Sequence, residues 1–295
     1  MIGENKGQVT EMLYPGHFAC PGCGAALTVR YLTRALGEDL VVVITASCWS
    51  IIAGVPPLTA LKCPILHCPF PSAGAVGGGV RRGLDVKGAH GTTVVVLAGD
   101  GGTFDIGLQA LSGAAQRNEN FIFVCYDNEA YMNTGMQTSS ATPYGARTNT
   151  APYPLFKEGR KKDIIQIMSA HGIPYAATAT VAFPDDLEQK FRKAKEIEGF
   201  RFIHVLSPCP PGWGVESAET IQISRLAVET CFFPLYEIID GGSMQLTYRP
   251  PVQKKLEQYL SAQRRYSGLH EQQLEKLQQD VDRHWEKLLR LSGRS

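Results

Sequence analysis

No stretch of this sequence reaches the roughly 18 consecutive apolar residues that a membrane span needs, so no membrane-embedded role is expected. The first ten residues, Met1 to Thr10, are polar and charged and lack the apolar core of an export signal. An excess of one charge is also missing: 29 Lys and Arg stand against 28 Asp and Glu, for a formal net charge of +1. That balance gives no reason to expect nucleic acid or a charged membrane surface as a partner. Gly77-Gly78-Gly79 lacks the lysine and the Ser or Thr of a P-loop, which argues against a nucleotide cradle there. With 44% hydrophobic residues over 295 positions, the chain can bury one large core and carry a small appendage. Eight cysteines without an export signal point to a reducing cytoplasm, where thiols serve more often as ligands or core residues than as disulfides.

The chemistry concentrates between Thr92 and Thr142. Thr92 to Ala98 is a β-branched apolar run of strand length that breaks at Gly99-Asp100-Gly101-Gly102. A helical pattern follows from about Asp105 to Arg117, and a second apolar strand, Phe121 to Tyr126, ends at Asp127-Asn128. This is a βαβ unit with its acidic turn and Asn128 both at strand carboxyl ends, the edge at which open α/β sheets bind ligands. Glycines there allow close backbone approach and positive φ, and Asp100 offers a hard oxygen ligand for Mg²⁺ holding a diphosphate. Asn128, 28 residues later, offers a second oxygen from the neighbouring strand. The plain alternative is an ordinary glycine turn.

The cysteines fall into two groups. Cys20-Pro-Gly-Cys23 precedes an amphipathic helix, Ala25 to Leu36, and such a turn serves as redox dithiol, zinc knuckle or iron–sulfur ligand. Leu40 to Thr45 is a strand that delivers Ser47-Cys48-Trp49-Ser50 to its carboxyl end, and Arg201 to Leu206 is another that delivers Ser207-Pro208-Cys209-Pro210-Pro211-Gly212-Trp213. Cys125 and Cys231 sit in apolar surroundings and read as core, while Cys63 and Cys68 read as strand-edge and loop residues.

The run GDGGTFDIGLQALSGAAQRNENFIFVCYDNEAYMNTGMQTSSATP resembles the thiamine-diphosphate motif, GDG followed some 25 to 30 residues later by N. It is most similar to the version in the β subunits of 2-oxoacid:ferredoxin oxidoreductases, and the resemblance covers roughly residues 14 to 250. It implies that Asp100, Asn128 and the Ala130 carbonyl bind Mg²⁺ and that Asn133 reaches the reactive end of the cofactor. Gly99, Gly101, Gly102, Cys48 and Thr134 would complete the thiamine diphosphate contacts. It also implies a [4Fe–4S] cluster held by Cys20, Cys23, Cys48 and Cys209. The implied activity is oxidative decarboxylation of a 2-oxoacid, pyruvate being the commonest, with electrons passed to ferredoxin and the acyl group to coenzyme A. Oxalate and branched or aromatic acids use the same scaffold. Partners would be an α subunit and γ or δ subunits, one of which supplies the glutamate that activates the aminopyrimidine. This chain has Ala25 where one family member carries a glutamate, and Phe70-Pro71-Ser72 where the family usually has Phe-Glu. Two other functions compete: a non-redox thiamine-dependent decarboxylase or synthase subunit, and a non-catalytic zinc-binding or assembly subunit.

The remaining pattern completes the fold. Pro69 to Gly83, rich in small residues, reads as a closely packed helix, and Tyr131 to Gly145 as a polar loop suited to phosphate oxygens. Lys161-Lys162 reads as a solvated face. Helices at 163–171 and 184–198 alternate with strands at 174–181 and 201–206, which gives an α/β fold with a doubly wound, mostly parallel sheet. Residues 1–250 are expected to form the thiamine and cluster domain, and 251–295 a helical C-terminal arm with an apolar stripe at Leu274, Leu277, Val281, Trp285 and Leu288.

Overall fold

Parallel strands covered on both faces tolerate no polar alternation, and the apolar runs of this chain become such strands. The computed structural model describes residues 11–54 and 57–293. The loose leader expected at Met1 to Pro15 lies mostly outside the described residues; within them, Leu13 forms an isolated bridge with Leu61.

In chain order the elements are α1 (Gly24–Leu36), β1 (Leu40–Thr45), α2 (Cys48–Ile52), β2 (Ile65–Cys68), α3 (Ala73–Val86), β3 (Thr93–Gly99), α4 (Leu108–Gln116) and β4 (Phe121–Asp127). They continue as α5 (Ile164–Ser169), β5 (Tyr175–Thr180), α6 (Pro184–Glu196), β6 (Phe200–Leu206), α7 (Pro210–Trp213), α8 (Thr220–Glu229), β7 (Tyr236–Ile239), β8 (Ser243–Leu246), α9 (Leu256–Ser261) and α10 (Glu271–Ser292). None of the described helices is long and apolar enough to cross a membrane.

The sheet runs β2-β1-β3-β4-β6-β5-β7-β8. The first six strands are mutually parallel, and the β7–β8 hairpin adds two antiparallel strands beyond β5. Alternate residues of each strand enter two cores. Val94, Val96, Phe121 and Phe123 pack with α4, α5, α8 and α10 on one face, while Val95, Leu97, Ile122 and Val124 pack with α1 and α6 on the other. Helix α3 packs on α4 and β3 through Gly74 and Gly77, the tight approach that its small residues predict. The stripe on α10 buries Leu277, Val281, Trp285 and Leu288 in the same core as the central strands, together with Leu256 and Tyr259 of α9.

The chain leaves β1 towards β2 and returns to place β3 on the other side of β1. Strand order therefore reverses between β1 and β3, and crossovers diverging there open a crevice at the carboxyl ends.

Candidate functional site

Three segments meet at that crevice: the turn after β1 with Cys48, the turn after β3 with Asp100, and the loop after β4 from Asn128 to Thr134. With Phe70 and Tyr126 they enclose a cavity of about 130 Å³. Its walls bring together all nine positions expected to contact thiamine diphosphate: Cys48, Gly99, Asp100, Gly101, Gly102, Asn128, Ala130, Asn133 and Thr134.

The glycine turn differs from the expected left-handed one. Asp100 has helical dihedrals, and Gly101–Asp105 coils at once into a single π turn ahead of α4. None of Gly99, Gly101 and Gly102 takes a positive φ. What Gly101 supplies is room, because a Cβ there would fall 2.2 Å from the Tyr131 ring. That ring is pinned by Tyr131 Oη donating to Asp105 Oδ2 at 3.0 Å.

Three oxygen-bearing groups then converge. The end of the Asn128 amide lies 3.0 Å from both Asp100 Oδ1 and the Ala130 carbonyl oxygen. Glu129, between Asn128 and Ala130, has φ +65°, and this left-handed residue turns the chain between the two groups. Two acceptors facing one amide terminus are satisfied either by its N–H groups or by a cation bound among three oxygens, an arrangement that fits a hard divalent metal. Asp100 is 1% exposed, and Ser139 Oγ donates to its Oδ2 at 2.6 Å. Burial, and then the nearby Asp127 charge, push the Asp100 carboxyl well above the usual range, so a counter-cation is what its charged form needs. Asn133 and Thr134 are exposed at the cavity mouth. Thr134 Oγ1 donates within its own hairpin to Gln137 Oε1 at 2.6 Å.

Behind the loop lies a buried ionic network. Asp127 and Glu129 are both bridged by Lys161, His204 Nε2 lies 2.7 Å from Asp127 Oδ2, and Arg265 reaches Glu129 Oε2 at 2.6 Å. Burial alone would raise the Asp127 carboxyl, but Lys161 and His204 more than offset it and hold it at about 2. The expectation of a solvated Lys161-Lys162 face is therefore corrected for Lys161, while Lys162 is exposed as expected. Lys161 turns inward because two buried carboxylates require a cation, and Lys162 donates to the Phe104 carbonyl at 2.6 Å. No local signal marks Lys161 or Arg265, since both partners are distant in sequence, whereas Glu129 stands inside the Asp-Asn-Glu-Ala motif.

The cysteine segments are drawn together by backbone contacts. The Gly24 N–H donates to the Pro208 carbonyl at 3.1 Å, and a Cβ on Gly24 would fall 2.8 Å from the same backbone. Thr28 and Ser207 hydroxyls meet at 3.0 Å, and Trp49 Nε1 donates to the Ala25 carbonyl at 3.2 Å. Cys20 is exposed, Cys23, Cys48 and Cys209 are half-buried, and all are free thiols. Burial, then the proximity of Cys209, Cys23, Asp100 and Cys20, push the Cys48 thiol up to about 12. Burial raises Cys209 to about 11, with Cys23 and Cys20 adding to it. The four thiols thus share one neighbourhood, but among the described residues no three His, Cys, Asp or Glu approach closely enough for one metal ion. A single tetrahedral zinc draws its sulfurs to about 3.8 Å of one another. A cubane cluster places each thiolate on a different iron and so takes a wider set than one zinc does. Cys125 and Cys231 are fully buried core residues, and Cys63 and Cys68 are 7% exposed.

Residues 56–205, which carry Asp100 and Asn128, match the family model described as "Thiamine pyrophosphate enzyme, C-terminal TPP binding domain". Pyruvate synthase subunit PorB of Methanothermobacter thermautotrophicus is 50% identical over 275 residues, covering 92% of this chain and 95% of the relative. Ketoisovalerate oxidoreductase subunit VorB of Pyrococcus horikoshii is 45% identical over 292 residues, covering 96% of this chain and 94% of the relative. Among solved structures, 2-oxoglutarate:ferredoxin oxidoreductase from Magnetococcus marinus shares the fold, with a TM-score of 0.59 and 23% identity over 75% of this chain and 82% of that one. The chain belongs to the thiamine pyrophosphate enzymes and, within them, to the β subunits of the 2-oxoacid:ferredoxin oxidoreductases.

Proposed function

We propose that this β subunit holds thiamine diphosphate through Mg²⁺ bound by Asp100, Asn128 and the Ala130 carbonyl, beside a [4Fe–4S] cluster on Cys20, Cys23, Cys48 and Cys209, and that it serves pyruvate oxidation in the cytoplasm. The observation that carries this reading is the meeting of Asp100 Oδ1, the Asn128 amide and the Ala130 carbonyl within 3.0 Å, with Cys48 on the wall of the same cavity. When bound, thiamine diphosphate supplies the carbanion and electron sink for decarboxylation, and the cluster takes electrons singly towards ferredoxin.

The chain's own residues orient and neutralise. Ser139 and the Asn128 amide fix the two oxygens of Asp100. Asn133, at the cavity mouth, would reach the reactive end of the cofactor. Asp100 is the only carboxylate on the cavity wall among the described residues, which supports a glutamate for the aminopyrimidine coming from a partner subunit. On this reading the isolated chain binds cofactor weakly and turns over little. Coenzyme A and γ or δ subunits complete the proposed assembly.

The test is the complex assembled anaerobically with its partner subunits and assayed for reduction of a low-potential acceptor by pyruvate, a branched-chain 2-oxoacid or oxalate, with and without coenzyme A. Reduction dependent on pyruvate and coenzyme A is the expected result. A preference for the branched acid would move the substrate towards that of the VorB relative, and failure with every 2-oxoacid would overturn the reading.

A further inference from the structure

The loop at Asn128 and the loop at Cys209 are joined by a side chain that belongs to neither. Arg265 lies in the 3-10 turn Arg264–Tyr266 after α9, with its side chain 5% exposed. Its guanidinium donates to Glu129 Oε2 at 2.6 Å, 136 residues away in sequence, and sits 3.8 Å from the centroid of the Trp213 ring. Each of these partners leads straight to a proposed ligand. Glu129 is the left-handed residue between Asn128 and Ala130. Trp213 donates through Nε1 to the Asn128 carbonyl and through its backbone N–H to the Cys209 carbonyl, both at 2.8 Å.

A non-glycine residue in the left-handed region is disfavoured and persists only where its surroundings fix it. Around Glu129 that fixing comes from Lys161, from Thr142 donating to its carbonyl at 2.7 Å, and from Arg265. Arg265 differs from the other two in acting on a second loop at the same time. Its planar guanidinium pairs with the carboxylate in its plane while stacking on the indole, a combination that a lysine ammonium does not reproduce. Tyr259 and Tyr266, 0% and 4% exposed, help to screen the pair from solvent.

We propose that Arg265 is a positioning residue that locks the Asn128–Ala130 turn to the Cys209 turn, so that the C-terminal segment sets both thiamine diphosphate affinity and the environment of the adjacent cluster. The inference rests on the cofactor reading above. It is tested on the anaerobically assembled complex, by titrating thiamine diphosphate at fixed Mg²⁺ and recording the electron paramagnetic resonance of the reduced complex. Arg265→Met is expected to raise the thiamine diphosphate Kd about 10–100-fold, as removal of a ligand-orienting partner does. It is also expected to shift the cluster's g-values. Arg265→Lys should recover part of the affinity through Glu129, and Glu129→Gln should weaken binding without the g-shift, because it leaves the contact of Arg265 with the Trp213 ring in place. Trp285→Phe, a core change on α10, should leave both readouts alone. A Kd within about twofold of wild type in Arg265→Met, unshifted g-values, or an equal loss in Trp285→Phe would overturn the inference. A wild-type complex that binds no thiamine diphosphate would instead sink the cofactor reading beneath it.

Discussion

Asp100 is 1% exposed and held by Ser139, and the neighbouring Asn128–Ala130 loop is tied down by Thr142, Lys161 and Trp213, whereas Cys20 is exposed and its three companion thiols are only half-buried. The two regions share one edge of one sheet yet are organised differently. The oxygen site comes from adjacent strands β3 and β4 and is braced by charges inside the chain. The thiol site comes from three segments whose backbones are packed together and whose free thiols share one neighbourhood. A site with its acceptors already converged gains orientation before ligand binds; a site of free, partly exposed thiols gains its final geometry from the ligand itself. The oxygen site should therefore respond sharply to single substitutions in its bracing, and the thiol site mainly to loss of a thiol.

The largest effect is expected at the oxygen site. Among the described residues Asp100 is the only carboxylate on the cavity wall, and in Asp100→Ala losing several kcal/mol of metal-mediated stabilisation corresponds to about a thousandfold drop in turnover. Thiamine content and kcat of the assembled complex check this; full activity with unchanged thiamine content would favour a non-catalytic subunit. A smaller effect, on stability, is expected at the bracing. Lys161→Met leaves Asp127 paired with His204 and Glu129 paired with Arg265, without the cation that bridges the two carboxylates. Breaking a buried pair is destabilising by 3–5 kcal/mol, and with those partners remaining about 3 kcal/mol is expected from denaturant midpoints. A change below about 0.5 kcal/mol would mean that the network braces nothing.

Much of this architecture is legible in the residues themselves. Leu40 to Thr45 and Phe121 to Tyr126 are strands because unbroken apolar runs suit only a sheet covered on both faces, and the structure extends the second by one residue to Asp127. The β7–β8 hairpin is harder to read: its strands are four residues each, and β8 is largely exposed, so the period-2 signal is weak. At the site, Asp100 and Asn128 stand out by spacing. Lys161 and Arg265 do not, because a charge becomes structural only when a distant partner buries it, and sequence shows neither the partner nor the burial. Glycine chemistry misleads in one place: Gly101 gives clearance for Tyr131 rather than a left-handed turn.

The contrast between a braced oxygen site and a ligand-closed thiol site is tested most directly by electron paramagnetic resonance and iron content of the anaerobically purified, reduced complex, comparing wild type with Cys209→Ser and Cys125→Ala. The account predicts a [4Fe–4S] signal in wild type, its loss in Cys209→Ser with thiamine diphosphate still bound, and its retention in Cys125→Ala. A wild-type complex whose β subunit carries no iron, or equal loss of signal in both variants, would contradict it.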